Sequence, residues 1–114
     1  MDAFWAMLDE EVIWDLRAWP IPDLDAVTKG REAVIKASRH YWGTWDEYNV
    51  EAEEILDADP NVVVILYEHG RGKSSGAPFA QTHPQVWTFR DGQIIRWASF
   101  SSRAEALEAA GLTG

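Results

Sequence analysis

The sequence contains no cysteine, which excludes disulfide cross-links and thiolate chemistry in this chain. Basic residues are also few, since ten Lys and Arg stand against nineteen Asp and Glu, for a formal net charge of -9. Nucleic acids and anionic membrane surfaces both require clustered positive charge, so neither is an expected partner. No apolar run approaches the roughly 20 residues that cross a bilayer, and no signal peptide precedes the first acidic residues. The expected location is therefore cytoplasmic.

Glycine and proline are too few, at eight and five residues, to indicate a disordered chain. The length of 114 residues and the apolar fraction of 46% fit a single domain, residues 1–114, with one core. Seven tryptophans, by contrast, is a high count for this length. Such large flat side chains either fill a core or line a cavity for a planar apolar guest, and the composition leaves both open.

Negative charge is concentrated in one stretch, where seven acidic residues fall between Asp46 and Asp59 with no base among them. We interpret this stretch as the solvated face of a strand and its turn. An acidic docking patch for a basic partner is the alternative.

The first half of the sequence predicts a helix, a strand, a loop and a second helix. A short helix is expected over Asp2 to about Asp9, and the alternation over Glu11–Arg17 predicts a half-buried strand. Turn-forming residues make Ala18–Thr28 a predicted loop, which could lie over a pocket mouth. Apolar residues at helical spacing predict the central helix over Gly30 to about Trp42.

The second half predicts four strands in sequence and a final helix. Tyr48–Glu53 alternates, Val62–Glu68 is nearly all β-branched or aromatic, and a Gly/Ser-rich connection over Arg71–Pro78 precedes a hairpin. Ser102–Glu105 is a capping box that starts the terminal helix. Strands joined by short turns give an antiparallel meander, and the helices must cover one of its faces. The fold class is therefore α+β, with a helix-backed curved antiparallel sheet.

Asp91-Gly92 between two apolar stretches predicts a two-residue type I′ turn, which sets the register of the last hairpin. Counting back from the pair Arg90 and Gln93 gives two faces. One face carries Trp87 opposite Arg96, Gln85 opposite Ala98, and His83 opposite Phe100. The other carries Val86, Ile95 and Trp97, is more uniformly apolar, and is the expected interface of a homodimer.

The first of these faces is the candidate site, because it mixes polar groups with aromatic rings. Each unpaired buried polar group costs about 1–3 kcal/mol, so such a face suits a cavity wall where a ligand completes the hydrogen bonds. Other interpretations remain open: His83 and Gln85 could be ordinary strand residues, and Arg96 a cation–π partner of Trp87. Asp15 is either a general base or the ion-pair partner of Arg17.

Motifs for metals and cofactors are not evident. His40, His69 and His83 lie far apart without a metal-binding spacing, so no metal site is expected. The sequence has no GxSxG, P-loop or GxGxxG motif, and no cofactor is expected.

Four segments resemble SnoaL-like proteins, which belong to the superfamily of polyketide cyclases, ketosteroid isomerases and nuclear transport factor two. These segments are Gly30–Val34, Gly70–Gly76, Val86–Ile94 and Ser102–Leu112. The resemblance implies a cone-shaped sheet with a pocket beneath the helices, and dimers through the outer sheet face. Family members usually begin with a long helix that closes the pocket. This chain begins at what resembles the second, short helix, so the first helix is expected to be missing: either the start is truncated, or the pocket is open, or a partner closes it.

The resemblance also implies roles for residues. Asp15 matches the general base of the isomerases, and Gln85 falls near the acid of their oxyanion hole, where an amide donates more weakly. The expected function is an isomerase, cyclase or dehydratase without metal, which abstracts a proton next to the carbonyl of a small apolar substrate. Asp15 is then the base, and His83 and Gln85 polarise the oxygen. The expected pocket lining is Trp14, Tyr41, Trp87, Arg96 and Phe100. The alternatives are a non-catalytic ligand-binding domain and a dimeric interaction module.

Overall fold

One open, curved sheet of six strands organises the chain. The computed structural model describes residues 2–73 and 75–112. The elements in chain order are α1 (Asp2–Ala6), β1 (Leu8–Asp15), β2 (Val27–Lys29), α2 (Arg31–Gly43), β3 (Trp45–Ala58), β4 (Asn61–Gly72), β5 (Pro78–Arg90), β6 (Gln93–Ser99) and α3 (Arg103–Ala109). The strand order is β2-β1-β6-β5-β4-β3, with β1 parallel to β6 and every other pair antiparallel. The predicted α+β class is confirmed.

The helices lie on both faces of the sheet. The sequence analysis had predicted that they cover only one face. The face toward α1 and α2, here called the cavity face, holds the main core, in which Val12, Trp14 and Val34 are almost fully buried. The opposite, outer face carries α3, whose Ala106 and Leu107 pack against apolar side chains of β4 and β5. None of the helices within residues 2–73 and 75–112 is long and apolar enough to span a membrane.

The predicted loop over Ala18–Thr28 contains a short strand that the sequence analysis missed. Val27 pairs with Asp15, so β2 extends the sheet beyond β1. The pairing is stabilised by the backbone N–H of Leu16, which donates to the carbonyl of Ala26 at 2.7 Å. The position of β1 also differs from the prediction of an antiparallel sheet. It joins the meander of β3 to β6 as a parallel neighbour of β6.

The turn predicted at Asp91-Gly92 is confirmed, but the predicted register beyond it is wrong. Both turn residues have positive φ, 52° and 79°, as a type I′ turn requires. Phe89 still pairs with Ile94, but the register then shifts by one residue, and Ile95 is the extra residue of a β-bulge. The pairs that follow are Thr88 with Arg96, Trp87 with Trp97, Val86 with Ala98, and Gln85 with Ser99.

This bulge overturns the predicted faces of β6, because successive side chains of a strand point to opposite sides. Trp97 lies on the cavity face with Trp87, and Arg96 lies on the outer face. Phe100, predicted for the cavity face, packs with the α3 cluster instead. Val86 is covered by that cluster and Trp97 lies on the other side, so the predicted homodimer surface of Val86, Ile95 and Trp97 does not form as one face.

The acidic stretch lies mainly on β3, an edge strand of the sheet. All of its acids are exposed except Glu54, which is half-buried and pairs with Arg103 at 2.7 Å on α3. The interpretation as a solvated strand is therefore confirmed. Negative charge along an unpaired edge also discourages further strands from adding to the sheet.

Two isoleucines provide a matched test of where the core lies. Ile94 is fully buried, whereas Ile55 on β3 is 65% exposed. We expect Ile94→Ala to lower the free energy of unfolding by about 2–5 kcal/mol, because it leaves a cavity in the main cluster. Ile55→Ala should cost less than about 1 kcal/mol. Urea denaturation followed by tryptophan fluorescence measures both, and equal losses would show that the sheet packs differently.

Candidate functional site

A cavity of about 160 Å³ lies between the cavity face of the sheet and helices α1 and α2. Its lining is mostly aromatic: Phe4, Trp14, Tyr41, Trp42, Tyr48, Val50, Leu66, Glu68, His83, Gln85, Trp87 and Trp97. Glu68 is the only acid among these residues, and no lysine or arginine lines the cavity. The site is therefore an apolar chamber with one carboxylate.

One wall of the cavity is an interlocked group of rings. Trp97 stacks on Trp14 with 4.7 Å between ring centroids. Trp42 lies nearly parallel to Trp97, with 6.1 Å between their ring centroids. Phe4 of α1 contacts Trp87 at 5.0 Å and Trp97 at 4.8 Å. Tilted and stacked pairs of this kind hold each ring in one orientation.

The lining also contains the buried carboxylate of Glu68 on β4, whose residue is 2% exposed. Its Oε1 accepts hydrogen bonds from His83 Nδ1 at 2.8 Å and Gln81 Nε2 at 3.1 Å, and its Oε2 accepts one from the Tyr48 hydroxyl. Burial raises the pKa of Glu68, but the hydrogen bonds from His83, Tyr48 and Gln81 outweigh it, so the pKa lies below the ordinary value. Glu68 is therefore ionised at neutral pH.

His83 links this carboxylate to Ser99, the last residue of β6. Because an ionised carboxylate only accepts, Nδ1–H must be the donor to Glu68. In the neutral ring Nε2 then accepts from the Ser99 hydroxyl at 2.8 Å. Trp19, in the loop between β1 and β2, stacks on the imidazole at 4.2 Å. Both ring nitrogens are thus occupied, and His83 offers the cavity its ring rather than a free nitrogen.

Gln85 has its amide orientation fixed by two tryptophans. Its Oε1 accepts the indole N–H of Trp87 at 2.8 Å and that of Trp97 at 3.1 Å. Two donors at one atom identify that atom as the carbonyl oxygen, so the amide nitrogen must point the other way. No hydrogen bond among the described residues uses this nitrogen. Gln85 lines the cavity, and its amide nitrogen lies on the side away from the two indoles.

Further buried donors of the described residues lack a partner within the protein. Those that line the cavity are Trp14 Nε1, Tyr41 OH and Trp42 Nε1. Trp45 Nε1 is also unpaired, but Trp45 does not line the cavity. Burial, reinforced by the charge of Glu68, raises the pKa of Tyr41, and the donors of Trp45 and Gln81 near its hydroxyl only partly oppose this, so the hydroxyl stays protonated and can donate. Buried donors without partners are rare, which indicates that a bound molecule or water completes them.

Asp15, predicted as the base, lies on the outer face of β1, opposite Trp14. Its carboxylate accepts from Arg17 Nε at 3.0 Å and Nη2 at 2.7 Å, and also from Arg96. The hydrogen bond from Arg17 holds the pKa of Asp15 below its usual value, and burial only partly opposes it. The alternative named above, an ion pair with Arg17, is what the structure contains.

The sequence analysis thus placed five of its eight candidates at the cavity. Trp14, Tyr41, His83, Gln85 and Trp87 line it, and Asp15, Arg96 and Phe100 do not. The seven lining residues that were not among the candidates are Phe4, Trp42, Tyr48, Val50, Leu66, Glu68 and Trp97. A signal for Glu68 was present, because it is a lone acid at the end of the apolar run Val62–Tyr67. Trp97 was missed because of the bulge.

A wider surface groove of about 800 Å³ runs beside the start of α2. Charged side chains line it, including Lys29, Arg31 and Glu32, and none of the unpaired buried donors described above lies there. Within the described part of the chain, no group of three or more His, Asp or Glu is placed to hold a metal ion. Among the described residues, the aromatic cavity is therefore the stronger candidate for a binding site.

The network around Glu68 makes stability depend on pH. Its pKa is lower in the folded chain than in the unfolded chain, so it stabilises the fold above the unfolded value of about 4.3, and the contribution is lost as pH falls through the folded pKa. We expect Glu68→Gln to cost about 1–3 kcal/mol at pH 7 and progressively less below about pH 4. Denaturation at both pH values measures this. The matched control is Glu51→Gln, an exposed carboxylate on β3, with a cost at pH 7 below about 0.5 kcal/mol. A pH-independent loss in Glu68→Gln would contradict the assignment.

Solved structures of similar fold place the chain among proteins of one architecture. A protein with a ketosteroid isomerase-like fold from Catenulispora acidiphila DSM 44928, crystallised with trimethylamine, is 17% identical, with a TM-score of 0.74 over 97% of this chain and 82% of that one. A candidate isomerase from Bacillus subtilis is 20% identical, with a TM-score of 0.74 over 96% and 79%. A candidate SnoaL-like polyketide cyclase from Jannaschia sp. CCS1 is 18% identical, with a TM-score of 0.74 over 96% and 76%. At these identities the likeness shows the fold alone.

The sequence comparisons identify the family without an activity. No curated protein matches the chain significantly. A family model described as SnoaL-like domain matches residues 1–97, which include the whole cavity lining. The match therefore extends over far more than half of the chain. The chain belongs to the SnoaL-like domain family.

Proposed function

We propose that this protein binds a small carbonyl compound in its aromatic cavity and abstracts a proton from the carbon next to the carbonyl, with Glu68 as the base. The observation that carries the proposal is the composition of the cavity lining, which combines one ionised carboxylate, Glu68, with Tyr41 and Trp14, whose buried donors have no hydrogen-bond partner among the described residues. Isomerases and cyclases both need these two elements. The relatives described as an isomerase and a polyketide cyclase are consistent with chemistry of this class.

Glu68 meets the requirements of a base in one respect and departs from them in another. It lines the cavity and is ionised, and Oε2 has only one hydrogen-bond donor, Tyr48. Its pKa lies below the ordinary value, so it is a weak base. A carboxylate with a pKa of about 4–5 is sufficient, however, when the developing oxyanion is strongly stabilised. The rate would then depend mainly on the donors.

The donors that support this role are Tyr41 and Gln85. The Tyr41 hydroxyl stays protonated and unpaired, and the Gln85 amide nitrogen is aimed away from the indoles that hold its oxygen. Trp14 Nε1 is a third donor on the same lining. Fixed donors at a developing oxyanion contribute about 3–4 kcal/mol each to catalysis in characterised enzymes. This is the largest contribution that the cavity can supply.

The proposed step is balanced within the cavity. Glu68 takes the proton, the electron pair of the C–H bond forms the C=C bond of an enolate, and the negative charge moves to the carbonyl oxygen. Tyr41 and Gln85 donate hydrogen bonds to that oxygen. Where a C=C bond adjoins that carbon, return of the proton from Glu68 to the far carbon of the conjugated enolate gives an isomer. Attack of the enolate carbon on a second carbonyl closes a ring, and Glu68 then returns its proton to the new alkoxide.

Hydrogen–deuterium exchange at the carbon next to the carbonyl of cyclohexanone, followed by NMR, tests this step. We expect the protein to accelerate exchange, and Glu68→Gln to reduce the acceleration at least about 100-fold, because an amide cannot take the proton. Since the base is ionised above its lowered pKa, the acceleration should persist down to about pH 5.

Asp15→Asn separates this proposal from the assignment that the family resemblance implies. Asp15 lies outside the cavity, so its variant should retain the acceleration in the folded protein. Loss of activity in Asp15→Asn together with full activity in Glu68→Gln would overturn the assignment of the base. Circular dichroism confirms that each variant is folded at the temperature of the assay.

A second candidate function is non-catalytic binding of a small alkylammonium cation. Aromatic faces and a single carboxylate attract organic cations, and each cation–π contact contributes about 0.5–2 kcal/mol. The Catenulispora acidiphila protein of similar fold was crystallised with trimethylamine, which has this chemistry. The unpaired donors of the cavity are better matched to an oxygen acceptor, so we rank this candidate second.

Choline and 3,3-dimethylbutan-1-ol distinguish the two candidates, because they have the same shape and differ in charge. If the cavity is a cation site, choline binds at least about 10-fold more tightly, and Glu68→Gln removes the difference. Tryptophan fluorescence titration measures both affinities. Equal affinities, or tighter binding of the neutral alcohol, would exclude the cation site.

A further inference from the structure

We propose that the substrate is a carbonyl compound whose reacting part is a single six-membered ring or a branched chain of that size, rather than a fused polycyclic molecule. This inference rests on the proposed function and names its substrate class. Three features of the cavity carry it: the volume, the rigidity of the walls, and the kind of polar atom that faces the guest.

The volume is the first constraint. The cavity holds about 160 Å³, whereas sites for drug-sized ligands have about 300–1,000 Å³. A dry cavity of about 150 Å³ engineered in another protein binds benzene. One six-membered ring therefore fills this volume, and a second fused ring would have to extend beyond it.

The tryptophan wall cannot move outward easily. Gln85 Oε1 ties the indole of Trp87 on β5 to that of Trp97 on β6, and Trp14 stacks behind Trp97 at 4.7 Å. Shifting either ring would break a buried hydrogen bond and would separate stacked rings. Gln85 thus acts twice, since its oxygen fixes the wall and its nitrogen faces the guest.

The part of the lining around Glu68 is held as firmly as the tryptophan wall. Glu68 is anchored by Tyr48, Gln81 and His83, and His83 lies between Ser99 and Trp19. The lining is most exposed at Val50, which is 45% exposed on β3. A substituent can extend past Val50 into solvent, but the ring that carries the carbonyl must fit between the two fixed walls.

The polar atoms of the lining select the class of guest. Tyr41 OH, Trp14 Nε1 and the Gln85 amide nitrogen are donors, and Glu68 already accepts three hydrogen bonds. A guest must therefore bring an acceptor, as a ketone oxygen does. A hydrocarbon ring of the same size fills the volume but leaves the donors unpaired.

Three probes test the size and the acceptor separately by tryptophan fluorescence titration: cyclohexanone, trans-2-decalone and methylcyclohexane. We expect cyclohexanone to bind at least 10-fold more tightly than methylcyclohexane, on the order of what one satisfied buried hydrogen bond contributes. We expect a difference of at least 10-fold over trans-2-decalone as well, because its second ring exceeds the cavity volume. Binding of trans-2-decalone within about threefold of cyclohexanone would overturn the size limit. Equal binding of methylcyclohexane would overturn the acceptor requirement.

Matched variants locate the two determinants. Trp42 and Trp45 lie close in sequence, and the indole N–H of each has no hydrogen-bond partner among the described residues. Of the two, only Trp42 lines the cavity. Trp42→Ala should therefore admit trans-2-decalone, and Trp45→Ala should keep the preference of the original protein. Tyr41→Phe removes a hydroxyl that has no hydrogen-bond partner among the described residues, so it should weaken cyclohexanone about 10-fold and leave methylcyclohexane unchanged. Gln85→Met also releases the indoles of Trp87 and Trp97, so it should weaken both probes.

Binding and turnover give independent results. If cyclohexanone binds with these preferences but its exchange is not accelerated, the substrate class stands and the proton transfer is wrong. If exchange is accelerated for cyclohexanone and trans-2-decalone alike, the proton transfer stands and the size limit is wrong.

Discussion

A single extra residue in β6, Ile95, decides which side chains face the cavity. Side chains of a strand alternate between its faces, so one inserted residue moves every later side chain to the other side. Beyond the bulge, Trp97 lies inside and Arg96 lies outside. Trp97 can then donate to Gln85 and stack on Trp14, and Arg96 can bind Asp15 on the outer face. The aromatic wall and the outer ion pair both follow from this one insertion.

The buried carboxylate of Glu68 is the second constraint, and it sets the character of the site. A lone buried charge is very costly, and three donors in place of water make it tolerable here. The same donors lower its pKa and so weaken it as a base. The cavity therefore suits reactions in which the donors at the substrate oxygen, rather than the strength of the base, lower the barrier.

Local signals in the sequence were enough for most of the fold. The helical spacing of Val34, Ser38 and Tyr41 predicted α2, and Asp91-Gly92 predicted the last turn, because each signal depends on neighbours within a few residues. The bulge at Ile95 and the parallel pairing of β1 with β6 were not predictable in this way. Both depend on contacts between segments that are distant in the chain.

The sequence by itself determined most of the elements, apart from β2, and the SnoaL-like family, and it predicted His83 and Gln85 together on one wall. Only the tertiary structure decided which acid faces that pocket. Asp15 and Glu68 each stand among apolar residues in a strand pattern, and the local difference, Arg17 two residues from Asp15, left two interpretations of Asp15 open. Arg96, 81 residues along the chain from Asp15, binds it on the outer face, and strand pairing brings Tyr48, Gln81 and His83 to Glu68. The environment that ionises or buries a carboxylate is made by these long-range neighbours.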